Sequence, residues 1–444
     1  MKKAILLLAF VFSSSLSATH VQGGEITWKC QSNGKYQFTL VLYRDCGATT
    51  LQTSAQTIAN NAGVTISAAY VSSTNVSMAV AGSCSGVTTG SVGSGIIETT
   101  LYRSGDITLT GVPPVGGWNF SWNSCCRPNS ITNTNTGGYF LRAVMYPFTP
   151  PGATGPLSAG DTTGPTPTCY DSSPNFLEDP LVVACQGTDI TYNSYGFDPD
   201  FDSIYFSFAP PLVGNTYPGT SVTWNTGYNT SSPMPSGTGS TAANLSSTGE
   251  LTFNTALVGN YTMCIRIESW RFGQKIGEVY RDVSMVVKSC APPTGLCSSG
   301  YVDSAPSFDM TPLNVNSTYT SIANVNGDTT SYLINALVGD TIRLSLASSD
   351  PYPFTNCSAQ NITFIASGTD STQITSGNVG GVFTYPGINS VFFNWIVDSA
   401  DYYVGSGYND IIPYDYYFTF KDDLAPINRV NIKRVRINVS HPAS

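Results

Sequence analysis

Apolar and polar residues alternate with a period of two along most of the chain, and this alternation is typical of β-strands that bury one face. The segment 24–42, GEITWKCQSNGKYQFTLVL, shows the pattern most clearly. Its alternating apolar side chains are Ile26, Trp28, Cys30, Tyr36, Phe38, Leu40 and Leu42. Asn33 and Gly34, between the two runs, suit the positive φ angles of a tight turn. The segment therefore predicts a β-hairpin.

No stretch carries the periodicity of an amphipathic helix over a useful length, so the predicted fold is all-β. Stretches rich in Pro and Gly, at 146–170 and 289–300, interrupt the strand pattern and indicate connections between domains. We therefore expect three β-rich domains, each of a usual domain size, at 19–165, 166–290 and 298–444.

The first 18 residues have the features of a secretory signal peptide rather than of a folded element. Two lysines precede an apolar run at 4–12, and small residues follow this run up to Ala18. The run is too short to span a bilayer, and no later run is long enough for a transmembrane helix. We expect the mature chain to be exported and to be extracellular or attached to the cell surface.

The chain carries little charge: charged residues make up only 11% of the 444 residues, and the formal net charge is −9. Because phosphate backbones are bound by basic surfaces, this balance argues against a nucleic-acid partner. The two histidines, His20 and His441, lie near the ends, so the body of the chain lacks the usual base for a Ser or Cys nucleophile. Two carboxylates suffice for a glycosidase, but no local motif selects a pair. We therefore expect a protein that is not an enzyme.

Six segments, spread from residue 19 to residue 426, carry the motifs of a known family. They are THVQGGEITWKCQSNGKYQFTLVLYRDC (19–46), GWNFSWNSCCRPNSITN (117–133), SSPNFLEDPLVVACQGTDITYNSYGFDPDFDSIYFSF (172–208), GNYTMCIRIESWRFGQKIGEVYRDVSMVVKSC (259–290), FFNWIVDSAD (392–401) and YYFTFKDDLAP (416–426). In this order they resemble the modules of large gliding-motility-associated surface proteins of Bacteroidota-type bacteria.

The resemblance implies tandem Ig-like or cadherin-like β-sandwich domains that are stabilised by disulfides, with the second and third domains of the chain as the Ig-like ones. It also implies adhesion or gliding motility at the cell surface. The chain departs from the family pattern at Ala209, and again at Ser399 and Ala425, where related proteins often carry cysteines.

The chain has 11 cysteines, and export to an oxidising compartment favours disulfides. Cys125 and Cys126 are adjacent on a predicted strand, where their side chains point to opposite faces, so we expect two different bonding partners. In an Ig-like sandwich, the first and last strands of the second domain can run parallel and finish at the same end, which predicts a Cys185–Cys290 disulfide. Cys264 is then the free thiol, because Ala209 replaces its partner in the related proteins.

Three aspartates, Asp198, Asp200 and Asp202, alternate in the stretch FDPDFDS. An EF-hand loop would need Gly at position 203 and Glu at position 209, where the chain has Ser203 and Ala209. The stretch is therefore not an EF-hand loop.

The same stretch resembles the aspartate-rich turn of cadherin-like domains, which often binds calcium and usually has Gly in place of Phe201. In an extended backbone, the alternation turns all three carboxylates to one side. Oxygen ligands suit calcium, and Asp171 would add another oxygen if the entry to the domain folds back. We predict a calcium site at Asp198, Asp200, Asp202 and Asp171, close to a domain junction. The alternative is a solvated acidic turn between two strands.

A second candidate site is the tyrosine-rich stretch DYYVGSGYNDIIPYDYYF at 401–418. Tyr402, Tyr403 and Tyr408 lie in a Gly-containing loop, where exposed rings would contact sugars or a protein. The alternative is that Tyr416 and Phe418 belong to the core and that the loop tyrosines only cover its edge.

Export, low charge, many strands and many cysteines together favour an adhesive or structural role at the cell surface. Surface glycans, surface proteins or further copies of the chain would be the partners. Two other functions stay open, a self-assembling subunit of an extracellular fibre and a carbohydrate-binding module.

Overall fold

A computed structural model describes most of the chain and defines its fold. The described residues are 21–48, 51–77, 84, 96–125, 127–128, 131–135, 137–162, 167–176, 178–194, 196–200, 202–247, 249–289, 309–312, 322–325, 328–348, 361–368, 382–386, 389–398, 411–421 and 430–440. Their regular elements are strands, without an α-helix, so the all-β prediction is confirmed. Within these ranges, nothing helical is long and apolar enough to cross a membrane. The predicted signal peptide, 1–18, lies outside them.

The first 20 strands cover the N-terminal two thirds of the chain. They are β1 Val21–Cys30, β2 Tyr36–Asp45, β3 Gln56–Asn60, β4 Ile66–Ser77, β5 Ile96–Ile107, β6 Trp118–Ser124, β7 Tyr139–Met145, β8 Gly160–Asp161, β9 Thr168–Cys169, β10 Asn175–Phe176, β11 Val183–Cys185, β12 Ile190–Asn193, β13 Gly196–Phe197, β14 Ser203–Ala209, β15 Leu212–Val213, β16 Thr220–Ser221, β17 Thr241–Leu245, β18 Glu250–Asn254, β19 Gly259–Arg271 and β20 Gln274–Lys288.

Strands β1 and β2 form the predicted hairpin, with an antiparallel ladder that ends at the pair Cys30 and Tyr36. The connection is longer than a two-residue turn. The amide of Gln31 donates to the carbonyl of Lys35, and the amide of Gly34 donates back to the carbonyl of Gln31. Of the Asn33–Gly34 pair, Gly34 takes the positive φ, at 71°, which a residue without a Cβ adopts freely.

Eight strands close into a ring in the order β1–β2–β5–β4–β3–β6–β7–β20, and β20 pairs back to β1. All eight pairings are antiparallel. Alternate residues of each strand point inward and fill the interior, because strand side chains alternate between faces. The largest buried side chains of this core include Trp28, Tyr36, Phe38, Tyr102, Phe120 and Tyr139.

Strand β20 also belongs to the second part of the chain. It pairs along its length with β19, and β19 pairs with β14, which extends the ring into an 11-stranded sheet together with β11. A three-stranded sheet of β12, β18 and β17 packs on β19 and β20 through a separate core that contains Tyr192, Leu251, Phe253, Tyr261 and Met285. The division predicted between 165 and 166 therefore separates segments that share one sheet.

The last nine strands form a two-layer sandwich. They are β21 Asp309–Pro312, β22 Ile322–Val325, β23 Asp328–Leu337, β24 Thr341–Ser348, β25 Asn361–Gly368, β26 Val382–Pro386, β27 Asn389–Ile396, β28 Ile411–Lys421 and β29 Val430–Ser440. One layer is β21–β24–β27 and the other is β22–β23–β29–β28–β25–β26. The core between the layers is rich in aromatic rings, including Trp395, Phe393, Tyr416 and Phe418. The sequence-based placement of Tyr416 and Phe418 in the core is thus confirmed.

Candidate metal centre

The three aspartates of FDPDFDS lie in a turn between β13 and β14, not in an extended strand. The carboxylate of Asp198 causes this: its Oδ1 accepts the amides of Asp200 at 2.9 Å and of Asp202 at 3.3 Å. Aspartate favours turns because it accepts hydrogen bonds from amides that follow it in this way. The backbone is therefore not extended here, contrary to the expectation from the sequence, and a turn rather than strand alternation places the three carboxylates. Asp198, Asp200 and Asp202 all lie near a fourth aspartate, Asp171.

Asp171 reaches the turn because residues 169–173 fold back along β1. The Cys30–Cys169 disulfide fastens the start of the segment. At its end, Trp28 and Ser173 exchange hydrogen bonds: the Trp28 amide donates to Ser173 Oγ and the Ser173 amide donates to the Trp28 carbonyl, both at 2.9 Å. The indole of Trp28 also donates to Asp171 Oδ2 at 3.2 Å. The segment thus holds the fully buried Asp171 against the turn.

Asp171, Asp200 and Asp202 come together, with one carboxylate oxygen from each lying within 4.8 Å of the others. We call these three residues and Asp198 the aspartate cluster. Asp200 is held in place by the amide of Ser172, which donates to its Oδ2. The cluster therefore joins the 169–173 segment to the turn before β14.

Arg271 supplies a positive charge to the cluster from the tip of the β19–β20 hairpin. Its Nε donates to Asp202 Oδ1 at 2.7 Å and its Nη2 donates to Asp202 Oδ2 at 2.6 Å. The same Nη2 lies 3.7 Å from Asp200 Oδ2 and 3.8 Å from Asp171 Oδ1. Its Nη1 donates to the carbonyl of Tyr170 at 2.6 Å. One guanidinium thus contacts the turn and the folded-back segment together.

The hairpin tip has the geometry that places Arg271. Arg271 pairs with Gln274, so the connection is the two-residue loop Phe272-Gly273. Both loop residues have positive φ, 50° and 72°, as a type I′ turn requires. This turn matches the twist of the strands and puts Arg271 at the last paired position, and the Phe272 ring stacks on Phe148 with centroids 6.4 Å apart.

The charges of the cluster do not balance, because four carboxylates face one guanidinium. Burial, with the neighbouring Asp198 and Asp200 charges, raises the pKa of Asp171 well above its ordinary value. Burial, with the Asp202 and Asp200 charges, does the same to the pKa of Asp198. Burial disfavours the charged form of Arg271, but its hydrogen bonds to Asp202 outweigh this effect and raise its pKa, so Arg271 stays charged.

Two carboxylate oxygens of the cluster are left over. Asp171 Oδ1 and Asp198 Oδ2 are buried, and neither has a hydrogen-bond partner among the described residues. A buried acceptor without a donor is costly, and a proton, a water molecule or a cation would each satisfy it. The donor set consists of carboxylate oxygens, which a hard divalent cation such as calcium prefers. The spacing of the cluster oxygens also fits, since calcium binds oxygens at about 2.3–2.6 Å.

The sequence alone does not point to Arg271. It is separated from Asp202 by 69 residues, and no local motif links the two. The three negative charges of FDPDFDS indicate that some positive group lies nearby, but they do not identify which residue or ion it is.

The cysteine predictions meet different outcomes. Cys185 is disulfide-bonded, and its strand β11 runs parallel to β20 with Cys185 opposite Lys288. Its predicted partner, Cys290, lies outside the described residues, so this pairing stays a prediction. Cys264 is a buried free thiol directly opposite Ala209 on β14.

Cys125 is an exposed free thiol, so the predicted disulfide at this position is wrong. The reason is that β6 ends at Ser124 and Cys125 lies beyond the strand; Cys126 lies outside the described residues. Two disulfides that the sequence left unassigned are Cys30–Cys169 and Cys46–Cys84. The predicted contact residues Tyr402, Tyr403 and Tyr408 lie outside the described residues.

No family model and no curated protein matches the chain. Two crystal structures of the N-terminal four Ig domains of Dscam1 are similar in part. Isoform 8.4 is 11% identical, and the alignment covers 62% of this chain and 53% of the Dscam1 chain, with a TM-score of 0.15. This chain therefore spans about half the length of that structure. Isoform 6.44 is 10% identical, with coverage of 94% and 73% and a TM-score of 0.16. At these TM-scores the likeness carries no argument, and the all-β class rests on the strands described above.

Proposed function

We propose that the chain is an exported protein of the cell surface or the extracellular space, with an adhesive or structural role, of the kind that the gliding-motility resemblance implies. The observation that carries this proposal is the all-β body joined by disulfides, Cys30–Cys169 and Cys46–Cys84. Disulfides persist in oxidising compartments and are rare in the cytosol. Low charge and β-sandwich architecture support the same proposal.

One pair of neighbouring carboxylates, on β19 and β20, has a structural rather than a catalytic environment. Glu268 and Glu278 are directly opposite each other on β19 and β20. Lys275 is ion-paired with both. Although burial opposes ionisation, hydrogen bonds from Lys275 and Tyr280 hold the pKa of Glu278 below its usual value. A general acid needs a raised pKa, so this pair supports a structural rather than a catalytic role.

Cell fractionation combined with proteolysis of intact cells tests the location and the role. The expected result is that protease added to whole cells removes the protein, or that the protein is recovered from the medium. Loss of adhesion of a deletion strain to a surface, with recovery on complementation, is the expected functional result. A protein confined to the periplasm would overturn the adhesive role.

The cofactor that we propose for the aspartate cluster is calcium. Asp171, Asp200 and Asp202 would supply its ligands, and Asp198 would shape the turn with Oδ1 and leave Oδ2 for the ion. Calcium would neutralise the surplus negative charge and fasten the 169–173 segment to the turn. We expect weak affinity, on the order of 0.1–1 mM, as in extracellular modules.

Thermal unfolding in calcium and in chelator tests this site. An ion that binds only the folded state raises the melting temperature, so we expect a rise in millimolar calcium. The change of Asp198, Asp200 and Asp202 to Asn should remove the rise. Equal melting curves of the native chain with calcium and with chelator would show that the aspartates form only a polar turn.

A carbohydrate-binding function is the second candidate, because exposed aromatic rings lie on one face of the sheet. Trp270 and Tyr205 are 36% and 48% exposed. The β14–β19 register pairs Ser203 with Trp270 and Tyr205 with Glu268, so both rings are on the same face. A glycan array with the native chain and with the Trp270→Ala and Tyr402→Ala variants separates this sheet face from the tyrosine loop. Absence of any glycan signal from the native chain would exclude the function.

A further inference from the structure

We propose that Arg271 competes with the divalent cation, so that a cation enters the aspartate cluster only by displacing the guanidinium. This inference rests on the calcium site proposed above and concerns its regulation. Nη2 of Arg271 lies among the three carboxylates that lie closest together, at 2.6 Å from Asp202, 3.7 Å from Asp200 and 3.8 Å from Asp171. Arg271 is thus the resident counter-cation of the cluster.

Space is the first reason for competition. The three carboxylate oxygens lie within 4.8 Å of one another. A calcium ion that contacts all of them at about 2.3–2.6 Å must lie between them. The guanidinium already contacts Asp202 through two nitrogens and directs Nη2 towards the other two carboxylates. Because Nη2 and an ion would need the same oxygens, one must leave when the other binds.

Unequal use of the oxygens is the second reason. Arg271 satisfies both oxygens of Asp202, yet Asp171 Oδ1 and Asp198 Oδ2 keep no hydrogen-bond partner among the described residues. Both of these side chains are more than nine-tenths buried. A doubly charged ion without directional bonds can contact oxygens that a planar guanidinium cannot reach. The exchange therefore improves the contacts of Asp171 and Asp198 at the expense of the bidentate pair.

The hairpin tip provides a place for the displaced side chain. Arg271 has 20% of its side chain exposed, whereas Asp171 and Asp202 have 0% and 4%. Its guanidinium also lies over the Phe148 ring, 5.2 Å from the centroid, where a cation is attracted to the aromatic face. Because part of its side chain already borders solvent, Arg271 can rotate outward without burying an unpaired charge.

The exchange changes what fastens the 169–173 segment. In the arginine-bound state, the hydrogen bond from Arg271 Nη1 to the Tyr170 carbonyl adds to the hydrogen bond from the Ser172 amide to Asp200. In the cation-bound state, the tie would run through Asp171 to Asp200 and Asp202. The segment is thus fastened in both states. The cluster would respond to calcium without requiring it for folding.

Calcium titration of the full chain and of Arg271→Gln, monitored by calorimetry after chelation and with calcium chloride as the only added ligand, tests the competition. Glutamine keeps a polar side chain but removes the charge. Because the charged guanidinium no longer holds the carboxylates, removing the competitor should tighten calcium binding about tenfold or more. Arg266→Gln is the matched control: Arg266 is also on β19 but is ion-paired with Glu268 and Glu278, outside the cluster. Its affinity should equal that of the native chain.

The variant Arg271→Lys keeps the charge without the two-pronged geometry, so it should bind calcium with intermediate affinity. Near-ultraviolet circular dichroism checks that each variant is folded, and the lysine variant carries the test alone if Arg271→Gln is not. If the native chain binds calcium and both folded variants bind it equally well or more weakly, the competition is overturned while the calcium site stands. If neither the native chain nor a folded variant binds calcium, the calcium site itself fails, and the competition with it.

Discussion

Arg281 on β20 forms a buried ion pair with Glu25 on β1, across 256 residues of sequence. Its Nη2 donates to Glu25 Oε1 at 3.0 Å, and its Nε contacts the other carboxylate oxygen. Nη1 donates to the Glu178 carbonyl at 2.5 Å. The pair lies where β20 closes the ring against β1, so it joins the first and second parts of the chain.

Removing one partner of this pair should destabilise the protein strongly. Glu25→Leu or Arg281→Met leaves an uncompensated buried charge, and we expect a loss of about 3–5 kcal/mol in the free energy of unfolding. The double change Glu25→Leu with Arg281→Met should cost much less than the sum of the two single changes. Urea unfolding of the four proteins measures this coupling. Additive losses would show that the pair is not coupled.

A fragment of residues 19–165 should not fold, because the ring lacks β20 and leaves β1 and β7 with unpaired edges. A fragment of residues 19–290 supplies β20 together with Cys290, the predicted partner of Cys185, and should fold. Near-ultraviolet circular dichroism and the dispersion of amide signals in nuclear magnetic resonance distinguish the two. A folded, monomeric 19–165 fragment would contradict the dependence of the ring on β20.

The two disulfides should differ in their contribution to stability, because they close loops of different length. The Cys30–Cys169 bond spans 139 residues and the Cys46–Cys84 bond spans 38. In the chain-entropy model, their removal by paired Ser substitutions should cost about 5 and about 4 kcal/mol. Chemical unfolding of the two double-serine variants gives the comparison. The Cys30–Cys169 variant should also lose part of the calcium-induced rise in melting temperature, because it frees the 169–173 segment.

Stability should fall in alkaline solution through the ionisation of buried tyrosines such as Tyr192. Burial raises the pKa of Tyr192 from 10.0 to about 12. The folded state therefore holds this proton more tightly than the unfolded state. The stability that the neutral Tyr192 side chain contributes is complete below pH 10 and is lost as the pH rises towards 12. For Tyr192 alone, the loss in the free energy of unfolding reaches about 3 kcal/mol.

Melting temperatures of the native chain and of Tyr192→Phe across this pH range test the ionisation. Because phenylalanine cannot ionise, the variant should lose less stability than the native chain between pH 10 and pH 12. Tyr205→Phe, at a half-exposed position, is the control and should follow the native chain. Parallel curves for all three proteins would show that Tyr192 does not contribute.

The features that the sequence predicts correctly are local ones. The β1–β2 hairpin follows from alternation on both sides of Asn33-Gly34, and the pairing of Cys30 with Tyr36 confirms it. The buried positions of Tyr416 and Phe418 match one of the two alternatives that the sequence left open for the tyrosine-rich stretch. In each case the relevant contacts lie between residues close in sequence or follow from which face of a strand is apolar.

The features that the sequence does not predict depend on contacts between distant segments. Alternation in FDPDFDS suggests an extended strand, but hydrogen bonds from the amides of Asp200 and Asp202 to Asp198 form a turn instead. Neither the ion pair of Arg271 with Asp202 nor the closure of the ring by β20 leaves a local pattern. In both cases the two partners are far apart in the sequence. Asp171 could be predicted as a member of the site because it lies just after the Pro-rich connection, at the entry to the domain.

The closing pair of the ring has a mechanical consequence. β1 and β20 are antiparallel, with Gly23 opposite Val283 and Gly24 opposite Asp282, so Val21 and Lys288 lie at the same end of neighbouring strands. Tension between the residues before Val21 and those after Lys288 would pull this pair open like a zipper and would not stretch the whole body. The other strands of the ring would carry little of the force until the short β1–β20 ladder has separated.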